Sequence, residues 1–167
     1  AWRDHFVSFG DGKAFVRAGN ISDTQFPARA VANYAMDVST MPLGVPTGWL
    51  RAPSNNAVGW VMQSFTDELA LAAGEDPVAF RRRLLGEPRL LGQPGKGDSF
   101  HTGRMRGVLD RVAEISGWGR QVPKGTGLGV ACHYSHQGYV AVVIEASVGE
   151  GPMGAGRVPK VHKAWAA

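Results

Sequence analysis

Cysteine is nearly absent from this chain. Cys132 is the single one in 167 residues, which excludes an internal disulfide framework and a cysteine-ligated metal site within this stretch. Long apolar runs are missing too. No segment approaches the roughly 20 residues that a helix needs to cross a bilayer. The opening Ala1-Trp2-Arg3-Asp4-His5 is charged and leads into no apolar region, so it does not read as a secretory signal. Strong charge bias is also lacking. A net charge of +4 and a pI near 9.6 come from scattered Arg and Lys. The densest cluster, Arg81-Arg82-Arg83, falls on a predicted helix. It reads as a solvated face rather than a nucleic-acid patch.

What the chain does have is a well-punctuated centre. Pro46, Gly48 and Pro53 bracket a loop that carries Trp49, Leu50 and Arg51. Ser54 and Asn55 are good N-cap residues for the helix that follows. Val58, Val61, Met62, Phe65, Leu69 and Ala72 then fall on one helical stripe. Trp60, Ser64 and Leu71 make a weaker second stripe, so this helix is expected to be buried between layers. Gly74 suits the C′ position. Asp76-Pro77 reads as N-cap and N1 of a short helix over Val78 to Leu85.

On either side the reading is a mixed α+β one. Trp2 to Phe9, Lys13 to Ala18 and Ala30 to Ser39 are expected strands. Gly10-Asp11-Gly12 and the residues from Gly19 to Pro27 are turn and loop. The Gly- and Pro-rich residues 86–98 form a long loop or linker without sustained period. Met105, Val108, Leu109, Val112 and Ile115 mark an amphipathic helix from Arg104 to Ser116, ended by Gly117. Strands follow over Leu128 to Ser135 and Tyr139 to Val148, the second with Val140, Val142, Ile144, Ala146 and Val148 on one face. A Gly-rich turn spans 149–156. A strand from Arg157 to Ala166 is expected to pair antiparallel to its predecessor.

The residues alone name no chemistry. Lys124-Gly125-Thr126-Gly127-Leu128-Gly129 has the wrong order for a Walker loop and opens a strand rather than a helix, which also fails a dinucleotide fingerprint. Ser135, His133, His136 and Glu145 supply nominal nucleophile, base and orienter, but no Gly-x-Ser-x-Gly elbow surrounds them. His133 and His136 share no face well enough for a tight metal site. No metal ligands and no catalytic residues are assigned in this stretch.

Three motifs, in one order, carry a resemblance. They are Gly48-Trp49-Leu50-Arg51-Ala52-Pro53, then Gln63-Ser64-Phe65-Thr66-Asp67-Glu68-Leu69-Ala70, then Ala73-Gly74-Glu75-Asp76-Pro77-Val78-Ala79-Phe80-Arg81. Phe26-Pro27-Ala28-Arg29, Tyr34 and Leu43-Gly44-Val45-Pro46 extend the likeness upstream, and the glycine-rich start of the strand at Gly125 to Ala141 extends it downstream. The chain resembles the molybdenum-cofactor-binding subunit of the xanthine dehydrogenase and aldehyde oxidase family, of the isoquinoline 1-oxidoreductase beta-subunit type. Gln63 stands where that family usually has Glu, and Leu50 replaces a common aromatic whose bulk Trp49 takes over.

The resemblance implies a good deal. Family members are several times longer, so an internal piece is expected, inactive alone. Residues 1–86 would end a first molybdopterin-binding domain, 87–103 would link, and 104–167 would begin a second. The implied cofactor is molybdopterin with molybdenum, in bacteria often as the cytosine dinucleotide. The implied reaction is hydroxylation of aldehydes or N-heteroaromatic compounds with oxygen from water. Electrons would leave through [2Fe-2S] clusters on an iron–sulfur small subunit. Arg51, with Trp49 and Leu50, matches the loop that closes over the cofactor, and Pro53 falls where relatives line the substrate channel. The family's catalytic base lies beyond this stretch. Relatives occur in the bacterial cytoplasm or periplasm. Two other classes stand beside this one: a non-catalytic binding or scaffold homologue of the same fold, and an unrelated basic binding module.

Overall fold

The computed structural model describes residues 1–22, 25–53, 55–96, 99–152 and 156–167. Along the chain run β1 (Trp2–Phe9), β2 (Tyr34–Met41), α1 (Asn55–Ala72), α2 (Pro77–Leu85), β3 (Leu90–Leu91), β4 (Phe100–His101), α3 (Thr102–Ser116), β5 (Thr126–Ser135), β6 (Gly138–Glu150) and β7 (Arg157–Ala166). This is an α+β arrangement, as the sequence pattern implies. The expected N-cap Ser54, the turn residue Asp23 and part of the 149–156 turn lie outside the described residues.

β1 and β2 pair in parallel from Trp2↔Tyr34 to Phe9↔Met41. The strand expected at Lys13 to Ala18 does not form. There, Phe15 makes only an isolated bridge to Gly10. The cause is Asp11, whose carboxylate accepts the N–H groups of Lys13 and Ala14 at 2.9 and 2.8 Å and so folds the chain into an Asx turn. The bonds from Ala14 and Lys13 also hold the Asp11 carboxyl below its ordinary pKa. The strand expected from Ala30 starts only at Tyr34. Ala30 and Val31 donate instead to the carbonyl of Pro27, in a turn.

α1 forms as its caps dictate. At its end Glu75 N–H reaches Ala70 O and Gly74 N–H reaches Leu71 O, with Gly74 left-handed at φ 66°, a Schellman closure. Its buried stripe, however, is not the one that the apolar residues mark. Val58, Thr66 and Ala70 are buried and Met62 half-buried, while Val61, Phe65 and Ala72 are exposed. Trp60 is 71% and Leu71 82% exposed, so the apolar residues of the second stripe face outward rather than into a second layer, and only Ser64 of that stripe is half-buried. The buried side faces α2 and β5. Thr66 tolerates that position because its hydroxyl donates to Met62 O at 2.6 Å.

α2 is capped by Asp76, which accepts from Val78 N and Ala79 N, as expected. Arg81 corrects the solvated-face reading of its arginine cluster. It is 2% exposed and donates to Asp67 Oδ1 at 2.6 Å, Gln63 Oε1 at 3.1 Å, Gln63 O at 3.1 Å and Pro77 O at 3.2 Å. Arg82 and Arg83 do sit on the surface, paired with Asp110 and Glu75.

The stretch read as structureless carries the short antiparallel β3–β4 ladder. Thr102 is buried at its end and exchanges hydrogen bonds with Glu87 and Arg89. α3 lies on the antiparallel sheet ordered β5-β6-β7. Leu109, Val112 and Met105 of α3 meet Val130 and Cys132 of β5 and Ala141 and Val143 of β6, with Val78, Leu85 and Phe100 completing the core. Ile115 stays exposed, and Thr102, Ala113 and Ser116 take the rest of the buried stripe. On β6 the inward face is Tyr139, Ala141 and Val143. Val140, Ile144 and Val148, which the alternation also allows, face outward because register pairs Cys132 with Ala141 and Val130 with Val143. β7 pairs antiparallel to β6, as expected.

Candidate functional site

A cavity of about 650 Å³ opens along the outer edge of β5, between α1, the β5–β6 hairpin and the loop around Phe26. That size suits a small organic ligand. Its apolar side is Val58 and Met62 of α1, Met105 of α3, and the rings of Phe26, Phe100 and Tyr134. Phe26 and Tyr134 lie 5.3 and 5.4 Å from Phe100, centroid to centroid. The Tyr134 hydroxyl donates to Ser99 O, which fixes that ring.

The polar side is built from paired groups. Asn55 opens α1, and its Nδ2 donates to Pro53 O at 3.1 Å. That bond sets the amide orientation, so Oδ1 must accept from His133 Nε2–H at 3.0 Å. His133 is thereby fixed as the Nε2–H tautomer. Burial lowers its pKa, favouring the neutral ring. Gly59 of α1 lies beside this ring, where an added methyl group would make ordinary van der Waals contact with it at 3.4 Å. One turn on, Gln63 Oε1 accepts from Arg81 Nε and from Cys132 N at 3.0 Å. Two donors on one oxygen fix this amide too, and leave Nε2 free to donate elsewhere. The Cys132 thiol beside it is pushed up to about 11 by desolvation, so it stays protonated and unreactive.

At the hairpin tip Ser135 pairs with Gly138. His136 and Gln137 between them both take positive φ, 51° and 64°. A two-residue loop with this geometry usually carries Asn-Gly. Side chains with a Cβ cost roughly 1–2 kcal/mol per residue in that conformation. Ser135 Oγ and His136 Nδ1 lie 2.7 Å apart and share a hydrogen bond.

Trp49, Leu50, Arg51 and Pro53 sit on the exposed loop that leads into α1, and none lines the cavity. Leu50 is 72% exposed and Trp49 51%. The Arg51 guanidinium makes no hydrogen bond or ion pair among the described residues. Ala52 holds a left-handed φ of 56°, and its carbonyl accepts from Asn56 N. Pro53 reaches the cavity only through its carbonyl, which holds Asn55. Of the nominal triad, Ser135 and His136 meet, but Glu145 is engaged by Arg120. Among the described residues no three His, Cys, Asp or Glu side chains converge on a metal-sized site, and no helix is long and apolar enough to cross a membrane.

Sequence reasoning missed Asn55, Gln63 and His133 as partners. Asn55 read as a cap, Gln63 as a small departure from a pattern, and His133 as packing. Asn55 and Gln63 stand 78 and 69 positions from the strand residues they bond, and no local spacing signals that.

No protein-family model matches the chain. Over 68 residues it is 32% identical to one of the subunits of nicotinate dehydrogenase from Pseudomonas putida. The match takes in 41% of the chain and spans 6% of that relative's length. Over that segment the chain is distantly related to a component of a dehydrogenase.

Proposed function

We propose that this chain is an internal piece of the molybdenum-cofactor-binding subunit of a molybdenum hydroxylase. The observation that carries this reading is the 68-residue similarity to a nicotinate dehydrogenase component, joined to the ordered motifs around Arg51. Residues 1–86 end one molybdopterin-binding domain, 87–103 connect, and 104–167 begin the next. The parent oxidises aldehydes or N-heteroaromatic compounds with water-derived oxygen, and passes electrons to an iron–sulfur subunit carrying [2Fe-2S] clusters.

The residues present fit one part of such a cofactor. Arg51 offers an exposed guanidinium with unused donors, suited to an anionic or oxo-rich group. Trp49 and Leu50 flank it and Pro53 borders the path to substrate. The molybdenum–pterin group, when bound, supplies the redox chemistry. This chain's part is to hold its periphery with Arg51 and to line the adjoining cavity with uncharged donors and acceptors.

The test is made on the assembled parent enzyme in isotope-labelled water, with candidate aldehydes and N-heterocycles. The product oxygen is expected to come from water. Oxygen drawn from dioxygen, or a purified enzyme free of molybdenum, overturns the reading.

A further inference from the structure

The backbone that carries Arg51 is not relaxed. Ala52 holds a left-handed φ of 56°, a conformation that a Cβ makes unfavourable. Such a residue persists only where its surroundings hold it. The Arg51 guanidinium does none of that holding, since it makes no hydrogen bond or ion pair among the described residues. The hold comes from the start of α1. Asn56 N donates to Ala52 O at 3.2 Å. Pro53 O accepts twice from Asn55, from its backbone N at 2.7 Å and from its side-chain Nδ2 at 3.1 Å.

Asn55 is itself held from far away. Its Oδ1 accepts from His133 Nε2–H at 3.0 Å, across 78 positions of sequence. An amide has one oxygen and one NH2 group, so a donor on the oxygen fixes where the NH2 group points. Among the described residues neither end of this amide is spent on the first turn of α1, so Asn55 is more than a helix cap. The His133 backbone is set in turn by its pairing with Val140 in the sheet. A chain of contacts thus runs from β5, in residues 104–167, through Asn55 to a loop in residues 1–86.

We propose that Asn55 and His133 are positioning residues for the Arg51 loop, so that the sheet of the second half sets where the guanidinium of the first half stands. Its consequence for turnover rests on reading the chain as part of a molybdenum hydroxylase with Arg51 at the cofactor. Neither residue needs to touch the reacting atoms, because both act through Arg51.

The test uses the assembled parent enzyme and an aldehyde or N-heterocycle that it oxidises. His133→Leu removes the donor to Asn55. Asn55→Asp keeps an acceptor for His133 and a residue that suits a helix start, but loses the donor to Pro53 O. Each should lower kcat about fivefold, with KM and molybdenum content unchanged. His133→Gln, which can still donate to Asn55, should recover most of the loss. In an Arg51→Ala background neither variant should lower turnover further, whereas a general weakening of the fold would act in both backgrounds. Hydrogen exchange at the Asn56 amide should also speed in His133→Leu, whatever Arg51 does. Unchanged kcat and unchanged exchange in His133→Leu overturn the inference, as do full losses added on top of Arg51→Ala. Full turnover in Arg51→Ala overturns the broader reading instead, and faster Asn56 exchange in His133→Leu then still marks this contact as the hold on the loop.

Discussion

Gln63 on α1 and Cys132 on β5 are joined by a 3.0 Å hydrogen bond from the Cys132 backbone N–H to the Gln63 side-chain carbonyl. β5 is an edge strand, so this amide points away from its sheet. A side chain 69 positions away in sequence covers it. The same oxygen accepts from buried Arg81. One acceptor thus ties α1, α2 and the sheet together at the wall of the cavity.

Replacing Gln63 by Leu removes that acceptor from both donors. Leaving buried donors unsatisfied costs about 1–3 kcal/mol, so Gln63→Leu should lower the urea midpoint and speed hydrogen exchange at the Cys132 amide. Gln63→Glu keeps an acceptor for both and adds a charge against Arg81. It should stay within about 1 kcal/mol of the unaltered chain at pH 7. Equal stability of Gln63→Leu shows that the clamp carries nothing.

Arg81→Ala strips four hydrogen bonds from a side chain that is 2% exposed. Its partner Asp67 is half-exposed and can rehydrate, so the loss belongs at the low end for a broken buried pair, about 3 kcal/mol. Arg81→Lys lacks the planar fork and should recover only part of it. Arg82→Ala should change stability by under about 0.5 kcal/mol, because Arg82 and Asp110 are both solvated. Equivalent losses at 81 and 82, measured by chemical denaturation, contradict this placement.

The contrast between Arg81 and Arg82 shows how far local pattern reaches. Asp76, Pro77, Gly74 and Gly117 act through neighbours within a few residues, so the helix ends were legible. Which arginine of three turns inward depends on where α1 lies, and nothing within α2 says that. Asp11 spoils a strand by a local bond that outweighs weak alternation, a signal already present in the sequence. On β6 both faces are apolar, so alternation was uninformative and the register with β5 chose the buried face. The cavity was illegible for the same reason as Arg81: Asn55 and His133 meet only in the folded chain.

His133 gives a pH signature with a definite sign. Burial lowers its folded-state pKa below the ordinary value of about 6.5. Between the lowered and the ordinary value the unfolded chain binds more protons than the folded one. Stability therefore rises with pH through that window and is lost as pH falls through it. The denaturation midpoint should drop on acidification from about pH 7 towards 5, and His133→Gln, which can still donate to Asn55, should reduce that slope. A His133 ring that titrates at or above its ordinary value by nuclear magnetic resonance contradicts the neutral tautomer.

Arg51 remains the residue on which the proposed function rests most heavily. Its loop is held by Pro46 and Pro53, by a left-handed Ala52, and by the bonds from Asn55 N to Pro53 O at 2.7 Å and Asn56 N to Ala52 O at 3.2 Å. The backbone is fixed while the guanidinium stays exposed, the arrangement a ligand-holding group needs. Arg51→Ala in the assembled enzyme should lower turnover about tenfold or more, equivalent to roughly 1.4 kcal/mol of barrier. Stability should change by under about 0.5 kcal/mol, since an exposed side chain without partners contributes little to folding. Arg51→Lys keeps the charge but not the fork, so it should restore only part of the rate. Arg82→Ala serves as the control for removing a surface arginine and should leave turnover unchanged. Full activity and full molybdenum content in Arg51→Ala assign the loop a structural role and leave Arg51 no part in holding the cofactor.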